Sequence, residues 1–222
     1  MAYIGQKPAD KPLGASDITD GIISNSKLAQ DVISAETELA TAPASTDEFL
    51  ISDAGTLKRI DASLVGGGGI TVAHQWRVTA DFTGTQAPIA SNWEQADTYG
   101  YGGIGTAMSQ SSGIFTFPST GVYLITANSL CYYTGPVRYW RLDLETTTDN
   151  SSYNVFARAY GNLYGSPSAW YSSAETKAMF DVTNTSTHKV RMSVTPEDSS
   201  TVFAADTSSN GTFFTFIRLG DT

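Results

Sequence analysis

Two histidines, His74 and His188, are the chain's only imidazoles, and more than a hundred residues separate them. Neither sits in a His-x-His or His-Glu-x-x-His pattern, so zinc ligation and histidine-based triads have no local support. Both read as edge-of-strand or loop histidines. A Gly-x-Ser-x-Gly elbow is absent, and the glycine run at 66–69 lacks the Lys-Ser/Thr that completes a phosphate loop. Two carboxylate pairs remain, Asp143/Glu145 and Glu197/Asp198, as a hydrolase working on glycosidic bonds would need. The first pair falls on the polar face of a predicted strand, where solvated charge is the ordinary role. The second lies in the turn Thr195-Pro196-Glu197-Asp198-Ser199-Ser200, oxygen-rich like a weak calcium loop but without the twelve-residue spacing of an EF-type site. Cys131 is the single cysteine, in an apolar run that reads as buried strand, so it is expected to be a small core residue. The expectation is a chain with no catalytic residue, no metal site and no cofactor.

Composition narrows the partners. The 222 residues carry 13 Lys plus Arg against 22 Asp plus Glu, a net charge of −9. Phosphate-backbone binding needs clustered basic residues, which are missing, so nucleic acid is not an expected partner. No run approaches the length of a membrane span, and the first twelve residues lack the apolar core of a signal peptide, so neither membrane insertion nor the usual secretory route is expected. Hydrophobic residues make up 41 % and charged ones only 16 %, with 20 Gly, 11 Tyr and 10 Phe. Aromatic and β-branched residues between Gly/Ser breaks are the composition of strands and turns.

The elements follow from period-two alternation. Residues 113–127 (GIFTFPSTGVYLITA) give a strand with Phe115 and Phe117 on one face, a Pro-Ser-Thr-Gly turn, and a strand with Tyr123, Ile125 and Ala127 on one face. Trp76, Val78, Ala80 and Phe82 share a face, as do Trp140, Leu142 and Leu144, then Ala178, Phe180 and Val182, then Val190, Met192 and Val194. Arg77, Tyr139, Arg141, Asp143, Glu145, Lys189, Arg191 and Ser193 face the other way. Eight to ten strands over about 150 residues is sandwich spacing. The natural partner of 122–127 is the run 212–219 (TFFTFIRL), almost a hundred residues on, which favours a jelly roll over a meander. That run is apolar on both faces, which predicts one face in the sandwich and one against another subunit. Phe213, Phe214, Phe216, Ile217 and Leu219 are the candidate interface residues.

Before residue 70 the pattern changes. Residues 1–15 are kept extended by Pro8, Pro12 and Gly14, and read as an attachment peptide or a tail, with Tyr3, Ile4, Pro8 and Pro12 as the candidate anchor. Residues 16–65 form a base or shaft. Short helical turns are expected within 16–40, with Ser26 capping 27–33, and a hairpin turns at Asp53-Ala54-Gly55. The glycines at 66–69 read as a hinge, followed by a head at 70–222. Its loops are rich in aromatic residues beside amides. Trp93, Tyr99, Tyr101, Tyr164 and Trp170 are the candidate host-contact residues, suited to sugar stacking or to protein contact.

Gly113, Phe115, Pro118, Gly121 and Tyr123 match position by position the Gly-x-Phe-x-x-Pro-x-x-Gly-x-Tyr motif of C1q/TNF-like heads, and 210–221 (NGTFFTFIRLGD) resembles their closing strand. The resemblance implies a trimer with the last strand near its axis. MAYIGQKPA, ITDGIISNSKLAQDVI and FLISDAGTLKRID resemble the leader regions of marine tailed-phage virion proteins, which implies a homotrimeric fibre or knob, located in the virion and attached to tail or capsid proteins through its N-terminal region. The alternatives are a capsid decoration protein that stabilises the shell, and a lectin or depolymerase module.

Overall fold

The structure, a computed structural model, describes residues 14, 18–19, 37, 39–41, 43–44, 46–65, 69–165 and 167–222. The candidate anchor residues Tyr3, Ile4, Pro8 and Pro12, the helical turn at 27–33 and most of the glycine run lie outside the described residues. The chain divides into two compact units, residues 1–67 and 68–222.

In the first unit, β1 (Glu48–Asp53) and β2 (Thr56–Asp61) form an antiparallel hairpin in which Asp53 faces Thr56. Ala54 (φ 48°) and Gly55 (φ 84°) are both left-handed, the two-residue turn whose twist suits a hairpin. Arg59 pairs with Glu48 at 2.7 Å and Lys58 pairs with Asp53 across the same two strands. Phe49, Leu50, Ile51 and Leu57 are all exposed. Two strands of this size are marginal by themselves in water, so the hairpin has no core of its own.

The second unit is an all-β jelly-roll sandwich. The larger sheet contains β3 (Ala73–Val78), β4 (Phe82–Thr83), β5 (Trp93–Gln95), β8 (Gly121–Tyr133), β11 (Trp170–Val182), β13 (Val202–Ala204) and β14 (Phe213–Gly220). Its order is β4-β13-β8-β14-β3-β5, with β11 along the other edge of β8. The smaller sheet has the order β10-β9-β12-β7-β6, with β6 (Ser109–Ser111), β7 (Ile114–Thr116), β9 (Val137–Thr147), β10 (Asn154–Leu163) and β12 (Lys189–Pro196).

The long-range partnership expected for 212–219 is present: β14 lies between β8 and β3, with Phe216 opposite Ile125 and His74. The strands around the Pro118 turn do not pair with each other. β7 joins the smaller sheet and β8 the larger one, so residues 117–120 are the corner by which the chain changes layers. Tyr123 pins that corner by donating its hydroxyl to the Ser119 carbonyl at 3.0 Å. Gly121 sits at φ +136°, and a Cβ there would come within 2.5 Å of the Gly220 carbonyl oxygen. Close approach of the two backbones is what glycine provides here.

Aromatic residues fill the space between the sheets. Phe115 meets Trp93 edge-on at 5.0 Å, Phe214 at 5.3 Å and Trp76 at 5.6 Å. Such edge-to-face contacts add to the burial of the rings. The registers also define the ends of the sandwich. At the entry end, Ala73 faces Ile217 and Gly121 faces Val182. At the loop end, Tyr133 faces Trp170, Val137 faces Leu163 and Trp140 faces Pro196.

Candidate functional site

The residues first considered for chemistry are tied into structure. His74 and His188 are both buried, each with partners of its own. His74 Nδ1 is 3.1 Å from the Tyr101 hydroxyl and its Nε2 is 3.0 Å from the Gly105 carbonyl. His188 packs against Phe180 and is flanked by the Thr183 and Thr187 hydroxyls. Asp143 is buried between two guanidiniums, Arg158 Nε at 2.6 Å and Arg141 Nε at 2.8 Å, while Glu145 binds Arg191 Nε at 2.5 Å. These carboxylates belong to ion pairs on the outer face of the smaller sheet. Glu197 binds the backbone N–H of Arg138 at 2.8 Å and its Nε at 2.6 Å; the bond to the side chain holds its carboxyl below the usual range. Cys131 is fully buried, and burial pushes its thiol up to about 12. Among the described residues, no group of three or more His, Cys, Asp or Glu side chains is placed to hold a metal ion.

The candidate interface residues separate by parity. Phe214 and Phe216 point into the sandwich and are fully buried within one chain. They are core residues, so their assignment to a subunit interface is corrected. Phe213, Thr215 and Ile217 point outward and are half-buried, and Leu219 is 51 % exposed. Strand register extends this apolar stripe sideways: Met179 faces Leu124, Leu124 faces Ile217, and Ile217 faces Ala73. A row of apolar side chains thus crosses four strands on the outer face of the larger sheet. Beside it a hollow of about 350 Å³ opens between Ile217, Thr215, Gln75 and Tyr101.

A second apolar region lies along the open edge formed by β10 and β11. Val155, Phe156, Tyr160 and Tyr171 are all more than 40 % exposed there. β11 is a thirteen-residue strand with a sheet partner on one side only, β8. A long edge with apolar side chains is a natural place for another chain to pack.

The five candidate host-contact residues do not form one site. Trp93 is a buried core residue, its Nε1 donating to the Ile89 carbonyl at 2.7 Å, so its placement on a recognition loop is corrected. Tyr101 is half-buried and braces its loop by bonding His74 and the backbone N–H of Gln75. Tyr99, on the same loop, is 90 % exposed. Tyr164 and Trp170 lie at the loop end, in ring contact with centroids 6.0 Å apart.

Arg77 carries a role that sequence reasoning missed. It sits on the polar face of its strand, yet its side chain is 2 % exposed and pairs with Glu94 and Asp97, each at 2.7 Å, while also donating to Thr98 Oγ1 at 2.9 Å. This clamp holds the 94–101 loop against the outer face of the larger sheet. Three polar partners within twenty-one residues were the available signal.

No family model matches the chain, and no curated protein sequence matches it. Among solved structures it is similar to murine APRIL. The pH 5.0 crystal structure gives 12 % identity and a TM-score of 0.47, covering 67 % of this chain and 98 % of that one. The pH 8.5 structure gives 11 % and 0.47, and the pH 8.0 structure 12 % and 0.46, at the same coverage.

Proposed function

We propose that this chain is a structural protein of a tailed-phage virion, a homotrimeric fibre or knob whose N-terminal region docks to the particle and whose head faces the host. The observation that carries assembly is the presence of two unlike apolar surfaces on one head. The Met179–Leu124–Ile217 row lies on a sheet face, and the Phe156–Tyr171 region lies on a sandwich edge. Unlike patches meet head to tail, and a head-to-tail contact that closes forms a ring. Three copies, each laying its β10–β11 edge on the next copy's outer sheet face, cover both surfaces. The exposed hairpin of the first unit gains the same benefit, because three copies of Phe49, Leu50 and Leu57 bury surface that one copy leaves in water. Virion placement is supported by the leader-like segments MAYIGQKPA and FLISDAGTLKRID.

Sedimentation equilibrium of the full chain tests assembly, with a trimer expected at micromolar concentration; a monomer would overturn it. Immunogold labelling of intact virions tests location. Label on the tail or one vertex supports a host-reading fibre, label over the head makes this a capsid fibre or decoration, and unlabelled particles reject the virion reading.

A further inference from the structure

Three segments that are distant in sequence meet at the loop end of the head: 134–136 after β8, 164–165 after β10 and 197–201 after β12. Two hollows open there. One, of about 540 Å³, is lined by Pro136, Arg138, Glu197, Asp198 and Ser199. The other, of about 320 Å³, lies against Asn162, Leu163 and Tyr164. Pro136 and Arg138 line both, so the hollows adjoin across them. Together they have the size of a small-ligand site.

We propose that this groove is a binding site for a neutral, hydroxyl-rich saccharide; the assignment rests on the reading of the head as host-facing. Shape and charge point the same way. Tyr164, which lines the groove, is 77 % exposed, and Trp170, in ring contact with it, is 45 % exposed, so two adjoining aromatic rings beside the groove are open to solvent. Flat apolar surface of that kind gains by covering the C–H face of a ring. Opposite them the groove offers paired hydrogen-bonding groups without surplus positive charge. Glu197 engages the Arg138 guanidinium, and Asp198 adds one further carboxylate. The local sum, one cation against two anions, disfavours sulfated, phosphorylated or carboxylated sugars, as does the chain's −9. Carboxylate oxygens, the Asn162 amide and the Ser199 hydroxyl accept from and donate to sugar hydroxyls instead.

The groove is also preformed. Glu197 uses one oxygen on the Arg138 backbone and the other on its side chain, joining the 197–201 loop to the start of β9. Asp198 accepts the Ser200 N–H at 2.8 Å, which fixes the turn it begins. Gly165, at φ +75°, lies so close to Pro136 that an added Cβ would stand 2.4 Å from the proline nitrogen. This contact sets Tyr164 beside Pro136, where a larger residue would push the loops apart. A rigid site spends less of its binding energy on ordering loops. The groove lies at the end of the sandwich opposite Ala73 and Gly220, where the chain enters and leaves the head.

The test uses the full chain, first characterised by sedimentation, on an array holding neutral gluco-, galacto- and manno-oligosaccharides beside sialylated, sulfated and uronate glycans. The expected result is binding to a neutral oligosaccharide, weakened at least tenfold in Tyr164→Ala and Trp170→Ala chains that keep the parent's melting temperature. Gly165→Ala weakens the same ligand through the loops, and its aromatic residues remain intact. Binding to acidic glycans only, neutral binding untouched by the aromatic variants, or a silent array overturns the proposal. A trimer with a silent array rejects the groove and leaves the assembly reading standing; a monomer that binds sugar does the reverse.

Discussion

The two sheets of the head turn different chemistry outward. On the smaller sheet, Asp143 lies between Arg141 and Arg158, and Glu145 binds Arg191, whose guanidinium also stacks 4.0 Å over the Tyr153 ring. Charges there are paired across strands, and only toward the β10 edge do Val155 and Tyr160 stay exposed. On the larger sheet one row, Met179, Leu124, Ile217 and Ala73, crosses the outer face without a polar group, although Thr126, Thr215 and the Arg77–Glu94 pair lie on the same face. Both sheets have an equally apolar inner face, so the core cannot account for the difference. What differs is the expected neighbour of these two patches: water over the ion pairs, protein over the apolar row.

The contrast breaks most severely through the core that both sheets share. Phe216→Asp replaces a fully buried ring by a charge without a partner, at a cost of about 4 kcal/mol or more. The expected outcome is loss of cooperative unfolding by circular dichroism, not a folded monomer. On the ion-paired face, Asp143→Asn removes the anion between two arginines and is expected to destabilise the head by about 2 kcal/mol, measured by urea denaturation, with the sedimentation coefficient unchanged. On the apolar face, Ile217→Asp sits on a half-buried outward position and is expected to cost about 1 kcal/mol or less within one head. By sedimentation it is expected to leave a monomer in place of the proposed trimer. A trimer that survives this substitution would show that β14's outer face is not the contact.

A smaller effect comes from acid. Asp149 is held well below its ordinary value of 3.8 by the backbone N–H of Ser152, the Thr147 hydroxyl and the N–H of Ser151. Asp198 and Asp206 are lowered in the same way, chiefly by the N–H groups of Ser200 and Ser208. A carboxylate depressed in the folded state stabilises it above the unfolded value, and that contribution is lost as pH falls through the folded one. The melting temperature is therefore expected to drop as pH is lowered below about 4. Asp149→Asn should make that drop shallower while lowering the plateau above it.

Much of the sandwich was legible because alternation is a local signal. Trp140, Leu142 and Leu144 face the core, as do Val190, Met192 and Val194. The run 212–219 defeated the same rule. With Phe213 and Ile217 on one face and Phe214 and Phe216 on the other, period two gives the faces but not which one is inward. Only the neighbours decide: Phe214 and Phe216 pack on Phe115. Trp93 was misplaced because β5 has three residues, too few to alternate, and is followed by polar loop residues. The burial of Arg77 and Asp143 depends on covering loops and on a neighbouring strand, which no local window contains. The groove was hidden for the same reason, since its walls come from residues near 136, 164 and 197.

β14 sits in the middle of its sheet, bonded to β8 on one side and β3 on the other. Until the ribosome has released residues 213–220, β3 lacks its main neighbour, and Phe115 lacks two of its ring contacts. Contacts so remote in sequence form late. The head therefore folds after synthesis of its last strand, and the surface carrying Ile217 exists only in chains translated that far.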